Sequence, residues 1–199
     1  MESEIRDKLI SLKEAGYKNI IIDLRNNGGG SPHMVVAVAK LFDKEGEHFY
    51  CGGGEIDRNT GNFVKDSDGK YALTDSINYK GEDLWSHGKV VVLVNGMCAS
   101  GGDHMAMLFD RMDNAKVIGY TKSNGVGQGT NGVSLKTGSL QFSAVPTMDE
   151  NGEILIDAGK DGISKMHIDE KVPVTMDTVR AVFDNGEDYL LNYVCENEF

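Results

Sequence analysis

The chain has 199 residues, enough for one domain with its own core and too few for two ordinary ones. Hydrophobic residues make up 40% and charged residues 26%, a globular composition that excludes disordered and fibrous classes. A net charge of −11 repels phosphate backbones and anionic headgroups, so no nucleic acid and no membrane surface is expected as a partner.

From the N-terminus, Ile5, Leu9 and Leu12 recur at helical spacing and predict a helix that Gly16 stops. The stretch before it, Glu2 to Glu14, is acidic and lacks the basic start and apolar centre of a signal peptide. Asn19 to Leu24 is too continuously apolar for a half-exposed strand and predicts a buried, parallel one. Gly28 to Gly30 follow, and then Ser31 and Pro32 mark the start of a helix over Met34 to Phe42. Residues 45–85 read as a hairpin-rich insertion, with strands near His48–Tyr50 and Asn62–Lys65.

Lys89 to Val94 repeats the first pattern: a buried strand, a turn of small residues from Asn95 to Gly102, and a helix carrying Met105, Leu108, Phe109 and Met112. A third strand is expected at Ala115–Gly119, then a glycine loop from Asn124 to Gly132. Strands near Ser139–Val145 and Glu153–Ile156 flank the hairpin signal Asn151-Gly152. After Pro173, Thr175 caps a terminal helical region that Asn185-Gly186 breaks. The whole, residues 1–199, reads as a single α/β domain. Three cysteines at wide spacing, Cys51, Cys98 and Cys195, support neither a disulfide framework nor a metal site. No apolar run reaches the ~20 residues of a membrane span.

Glycine is over-represented, at 25 residues or about 13% against an average near 7%. It concentrates in two turns that each join a strand to a helix, where unpaired N–H donors gather. The turn Asp23-Leu24-Arg25-Asn26-Asn27-Gly28-Gly29-Gly30 lets backbone approach a reacting carbonyl closely. The turn Asn95 to Asp103 sets the Ser100 hydroxyl at a helix mouth, suited to a nucleophile with N–H groups to receive an oxyanion. Taken singly, a glycine run is an ordinary turn and a serine before a helix is an ordinary cap; their combination in this order is what points to acyl transfer.

The two stretches IIIDLRNNGGG (Ile20 to Gly30) and VVVLVNGMCASGGDHMA (Val90 to Ala106) resemble the core of the C-terminal processing protease and tricorn group of serine peptidases. VIGYTKSNGVGQG (Val117 to Gly129) is similar to that group's third element, and Asp161 to Thr175 to its closing segment. The resemblance implies a ClpP/crotonase-like α/β fold of stacked short sheets with flanking helices. It implies a polypeptide substrate, no metal and no organic cofactor. It also implies a catalytic-core piece of a longer protein and an extracytoplasmic setting, whereas three unpaired cysteines suit the cytoplasm, and it leaves oligomer formation open.

Carried over residue by residue, the resemblance puts the nucleophile on Ser100 and the oxyanion donors on Gly101 and on Gly28 or Gly29. Cys98 falls on a packing position. Processing proteases place a lysine base between two glycines, where this chain has Gly127-Gln128-Gly129. A glutamine amide has no useful basicity near neutral pH, so Gln128 cannot take the serine proton. Lys122 would have to reach in from six residues earlier. The Ser100-Gly101-Gly102-Asp103 turn is closer to the tricorn-like branch, whose base is a histidine upstream of the first strand, and this chain has none before His33.

His33, beside the glycine run, is a further candidate, His104 reads as a surface or core residue of its helix, and His48, His87 and His167 have no partner pattern. Asp103 is expected to support the helix N-terminus. Asp157 and Asp161 flank the position of the tricorn-like orienting acid, which itself falls on Gly159. The leading expectation is a serine endopeptidase core whose base is missing. The alternatives are a non-catalytic module binding peptide or an apolar ligand on the same fold, and a crotonase-like acyl-CoA enzyme, on fold analogy alone.

Overall fold

The structure is a computed structural model that describes residues 2–156 and 166–199. Its centre is a parallel sheet in the order β1-β4-β5-β9, formed by β1 (Ile20–Asp23), β4 (Val90–Val94), β5 (Ala115–Gly119) and β9 (Glu170–Lys171). The β4 run Val-Val-Val-Leu-Val carries no polar residue because both faces of that strand are covered. Val90, Val92 and Val94 enter one core with Trp85, Leu41 and Phe109, while Val91 and Leu93 enter a second with Ile118, Val172, Leu190 and Val194. β1 is the outer neighbour of β4, paired Ile20 to Val90 through Asp23 to Leu93, and its isoleucines are only half-buried.

Helices cover the first core. α1 (Glu2–Glu14) ends two residues before the left-handed Gly16 and buries Leu9. α2 (Pro32–Phe42) starts on the Ser31 cap with proline in its first turn and buries Val35, Ala39, Leu41 and Phe42. α3 (Gly101–Asp110) packs between α2 and β5. On the other face, α4 (Met176–Phe183) starts on the Thr175 cap and α5 (Tyr189–Asn197) on the Asp188 cap.

Residues 46–81 hold an antiparallel pair, β2 (Gly46–Gly54) and β3 (Leu73–Gly81), joined to β8 (Thr147–Met148) in the order β3-β2-β8. The strand expected at Asn62–Lys65 is reduced to isolated bridges, Ile56 to Phe63 and Lys65 to Tyr71, and the regular partner of β2 is β3. The expected hairpin also differs. β7 (Gly138–Val145) pairs with β6 (Gly129–Leu135), and the Asn151-Gly152 turn joins only Met148 to Ile154. Lys136-Thr137, which carries no turn signal, closes the longer ribbon because seven cross-strand pairs outweigh a good turn beside a two-residue strand.

Candidate active site

The two glycine turns interlock through asparagines. Asn95 Oδ1 accepts the Asn26 N–H at 3.1 Å and the Met97 N–H at 3.0 Å, and Asn95 Nδ2 donates to Asn26 Oδ1 at 3.0 Å. Asn27 contributes its carbonyl to Ala99 N–H at 2.9 Å and its side-chain oxygen to Gly29 N–H at 2.9 Å. Arg25 anchors this assembly from below. Its guanidinium donates to both Asp23 and Asp188, which holds both carboxyls below the usual aspartate range.

The backbones then meet at contact distance. A methyl group added at Gly29, whose φ is +109°, would stand 2.6 Å from Ser100 Cβ and 2.7 Å from Gly101 N. One added at Gly101 would stand 2.8 Å from Gly30 N. Residues about 70 apart in sequence therefore form one surface, the juxtaposition that carbonyl attack requires. Gly101 is the first residue of α3, and its N–H carries no hydrogen bond among the described residues, nor do those of Gly28 and Gly30. The Gly29 N–H is already donated to Asn27, so Gly101, Gly28 and Gly30 supply the open donors. The sequence reading passes over Gly30, although the unbroken Gly28–Gly30 run leaves the choice among the three open.

Ser100 itself has φ 54° and ψ −118°, a conformation that costs a non-glycine residue about 1–3 kcal/mol. What holds it is Asp103. This carboxylate has no solvent exposure and accepts three backbone N–H groups: Ser100 at 2.9 Å, Gly125 at 3.0 Å and Val126 at 3.2 Å. One buried side chain thus fixes the strained serine and docks the third glycine loop against it. With three backbone N–H groups on its two oxygens, Asp103 acts here as an acceptor for backbone.

The next residue of α3 continues this grip. His104 Nε2 donates to the Gly127 carbonyl at 2.7 Å, its ring stands edge-on to Tyr50, and Nδ1 is buried with no partner among the described residues. Burial pushes its pKa below the usual histidine value and keeps it neutral. Gln128 is spent on backbone: Oε1 accepts Thr147 N–H at 2.6 Å and Nε2 donates to Ile156 O. Lys122 is half-buried and its charge reaches His167, whose pKa it lowers slightly against the Asp110 effect. The His33 side chain is exposed, and its backbone N–H bonds Ser31 Oγ at 3.3 Å. Asp157 and Asp161 lie outside the described residues. Neither neighbour in α3 turns to the Ser100 hydroxyl: the Asp103 oxygens take backbone N–H groups and His104 Nε2 is on Gly127. Cys98 is wholly buried in the same turn, where its thiol is pushed up to about 12, far from a ready thiolate.

Two other features lie away from this surface. A cavity of about 760 Å³ is lined by His48, Tyr79, Arg111 and Asp149 and reaches neither glycine turn. Asp110, His167 and Asp169 bring ligand-type atoms within 4.8 Å of one another at the far end of α3, about 15 Å along the helix from Ser100. There His167 Nδ1 lies 2.7 Å from Asp110 Oδ1, a pairing that raises the histidine pKa. No described helix is long and apolar enough to cross a membrane.

Comparison with solved structures finds the same mixed α/β architecture elsewhere. A candidate peptidase from Parabacteroides merdae superposes with a TM-score of 0.70 at 21% identity, covering 98% of this chain and 56% of that one. The photosystem II D1 C-terminal processing protease gives 0.59 at 22% identity over 94% of this chain and 44% of that one. Mature CPAF gives 0.67 at 16% identity, covering 98% and 46%. The chain thus spans about half the length of these structures. No curated protein matches the sequence. The model of peptidase family S41 matches residues 1–164, and the chain belongs to that family.

Proposed function

From membership of peptidase family S41, we propose that this chain is a serine-type endopeptidase core in which Ser100 forms an acyl-enzyme with polypeptide substrates. The observation that carries the reading is the contact between the Gly28–Gly30 turn and the Ser100–Gly101 turn. Ser100 Oγ attacks the peptide carbonyl carbon. The Gly101 N–H and that of Gly28 or Gly30 receive the oxyanion, the C–N bond breaks to release the amine, and water then hydrolyses the ester. The serine proton passes to a base other than Gln128, whose amide is committed to Thr147 and Ile156.

Labelling by a fluorophosphonate probe, with the adduct located by peptide mass spectrometry, tests this. The chain should label at Ser100, and Ser100→Ala should abolish it. A folded chain that takes no probe at Ser100 while binding polypeptide would replace cleavage with the second reading, a peptide-binding module. That reading is favoured by the glutamine at position 128.

A further inference from the structure

The ribbon β6–β7 sorts its side chains largely by chemistry, with Asn131, opposite Phe142, a polar residue at the edge of the apolar face. Val133 pairs with Leu140, with Leu135 and Phe142 on the same face, while Thr130, Ser134, Ser139, Gln141 and Ser143 occupy the other. The four apolar side chains are 50%, 58%, 55% and 45% exposed for Val133, Leu135, Leu140 and Phe142. A two-stranded ribbon is marginal alone, and one face this apolar is a surface for something else. The segment from Gly129 to Val145 carries a single charge, Lys136, in a chain whose residues are 26% charged.

Area and charge narrow the occupant. Four half-exposed side chains offer roughly 300 Å² of apolar surface. Two copies pairing there would bury about 600 Å², against about 1,200 Å² where stable interfaces begin. That suits a transient partner and not a second copy. A neutral apolar face in a protein of charge −11 suits a partner with few acidic groups. An extended chain repeats its side chains on one side every two residues, the spacing of Val133 and Leu135.

The ribbon is also tied to the serine turn. The Ser100 and Val126 amides share the Asp103 Oδ2 oxygen, and Val126 is half-exposed. Gly127 accepts from His104, and Gln128 fixes the ribbon's root to Thr147 and Ile156. We propose that the apolar face of β6–β7 is a docking surface for unfolded polypeptide with apolar residues at alternate positions, delivering it towards Ser100. This deepens the peptidase reading and rests on it for the fate of the bound chain, while the binding itself is separately measurable.

The test uses the Ser100→Ala chain, so that nothing is turned over, and a fluorescein-labelled, unstructured peptide with valine or leucine at alternate positions, serine between them and no acidic residue as the probe in anisotropy titrations. The double substitution Val133→Thr with Leu140→Thr should weaken binding at least 10-fold, while Gln141→Ala on the polar face leaves it unchanged. Equal binding by the double variant, or an equal loss from Gln141→Ala, overturns the proposal. So does a dimer in sedimentation that the double variant dissociates, since the occupant would be a second copy. A double variant that unfolds also overturns it, because the face would then be one the chain itself covers. Probe labelling of Ser100 in the unmutated chain is scored separately. Its failure removes the cleavage reading and leaves a ribbon-dependent binding result standing.

Discussion

Replacing Asp103 by asparagine removes the one group that joins the serine turn to the third glycine loop. The carboxylate accepts three N–H groups through two oxygens, with Oδ2 taking two of them. Asparagine keeps one acceptor oxygen and turns an NH2 towards the remaining donors. At least one buried N–H is orphaned, at about 1–3 kcal/mol, and the retained bonds lose their charge assistance. Relief of the Ser100 backbone strain returns about 1 kcal/mol. The net loss is about 2–4 kcal/mol, which for a chain of this length lowers Tm by about 5–12 °C. Thermal unfolding followed by circular dichroism reads the shift. Fluorophosphonate labelling at a temperature where the variant is folded should slow at least 10-fold, because Ser100 is free to leave its strained conformation. A variant melting within about 2 °C of the parent and labelling at the parent rate would refute the assignment of Asp103 as the positioning residue.

Two further outcomes follow from the same packing. Gly29→Ala places a side chain at positive φ and against Ser100 and Gly101, so it should cost about 3 kcal/mol or more in urea unfolding and abolish labelling of Ser100. His104 has a folded pKa below its unfolded value of about 6.5, so its contribution to stability is complete above that pH and lost as pH falls through the folded pKa. His104→Gln, which can still donate to Gly127 without titrating, should flatten the loss of stability between pH 7 and pH 5. Parallel curves for the two chains would show that His104 does not titrate on unfolding.

The residues that build the serine turn are legible because each is under a local constraint that leaves a mark. A strand buried on both faces must be apolar throughout, and glycine is required where two backbones touch, so Val90–Val94 and Gly28–Gly30 stand out unaided. The β3 strand is not, because Leu73, Ile77 and Tyr79 alternate with exposed polar residues among several competing turn signals. The β6–β7 pairing is hidden for a related reason, as the stronger signal at Asn151-Gly152 serves a shorter connection. Contacts such as Asp103 to Gly125 and His104 to Gly127 depend on how a helix is rotated against a loop more than 20 residues away, which spacing does not encode.

The Arg25 clamp bears on where this folding unit ends. The family match stops at residue 164, yet Arg25 reaches out of the first glycine turn to grip Asp188, the cap of α5. At its other end α5 is held by Glu198, which pairs with Lys89 at the start of β4 and with Lys116 on β5. Between those ties Leu190 and Val194 cover Val91, Leu93 and Ile118. A boundary drawn at the end of the family match would strip one face of the sheet and release the strand end from which the glycine turn departs. The last thirty-odd residues are therefore structural wall and not a tail: the serine's surroundings are braced from a segment that the family pattern does not reach.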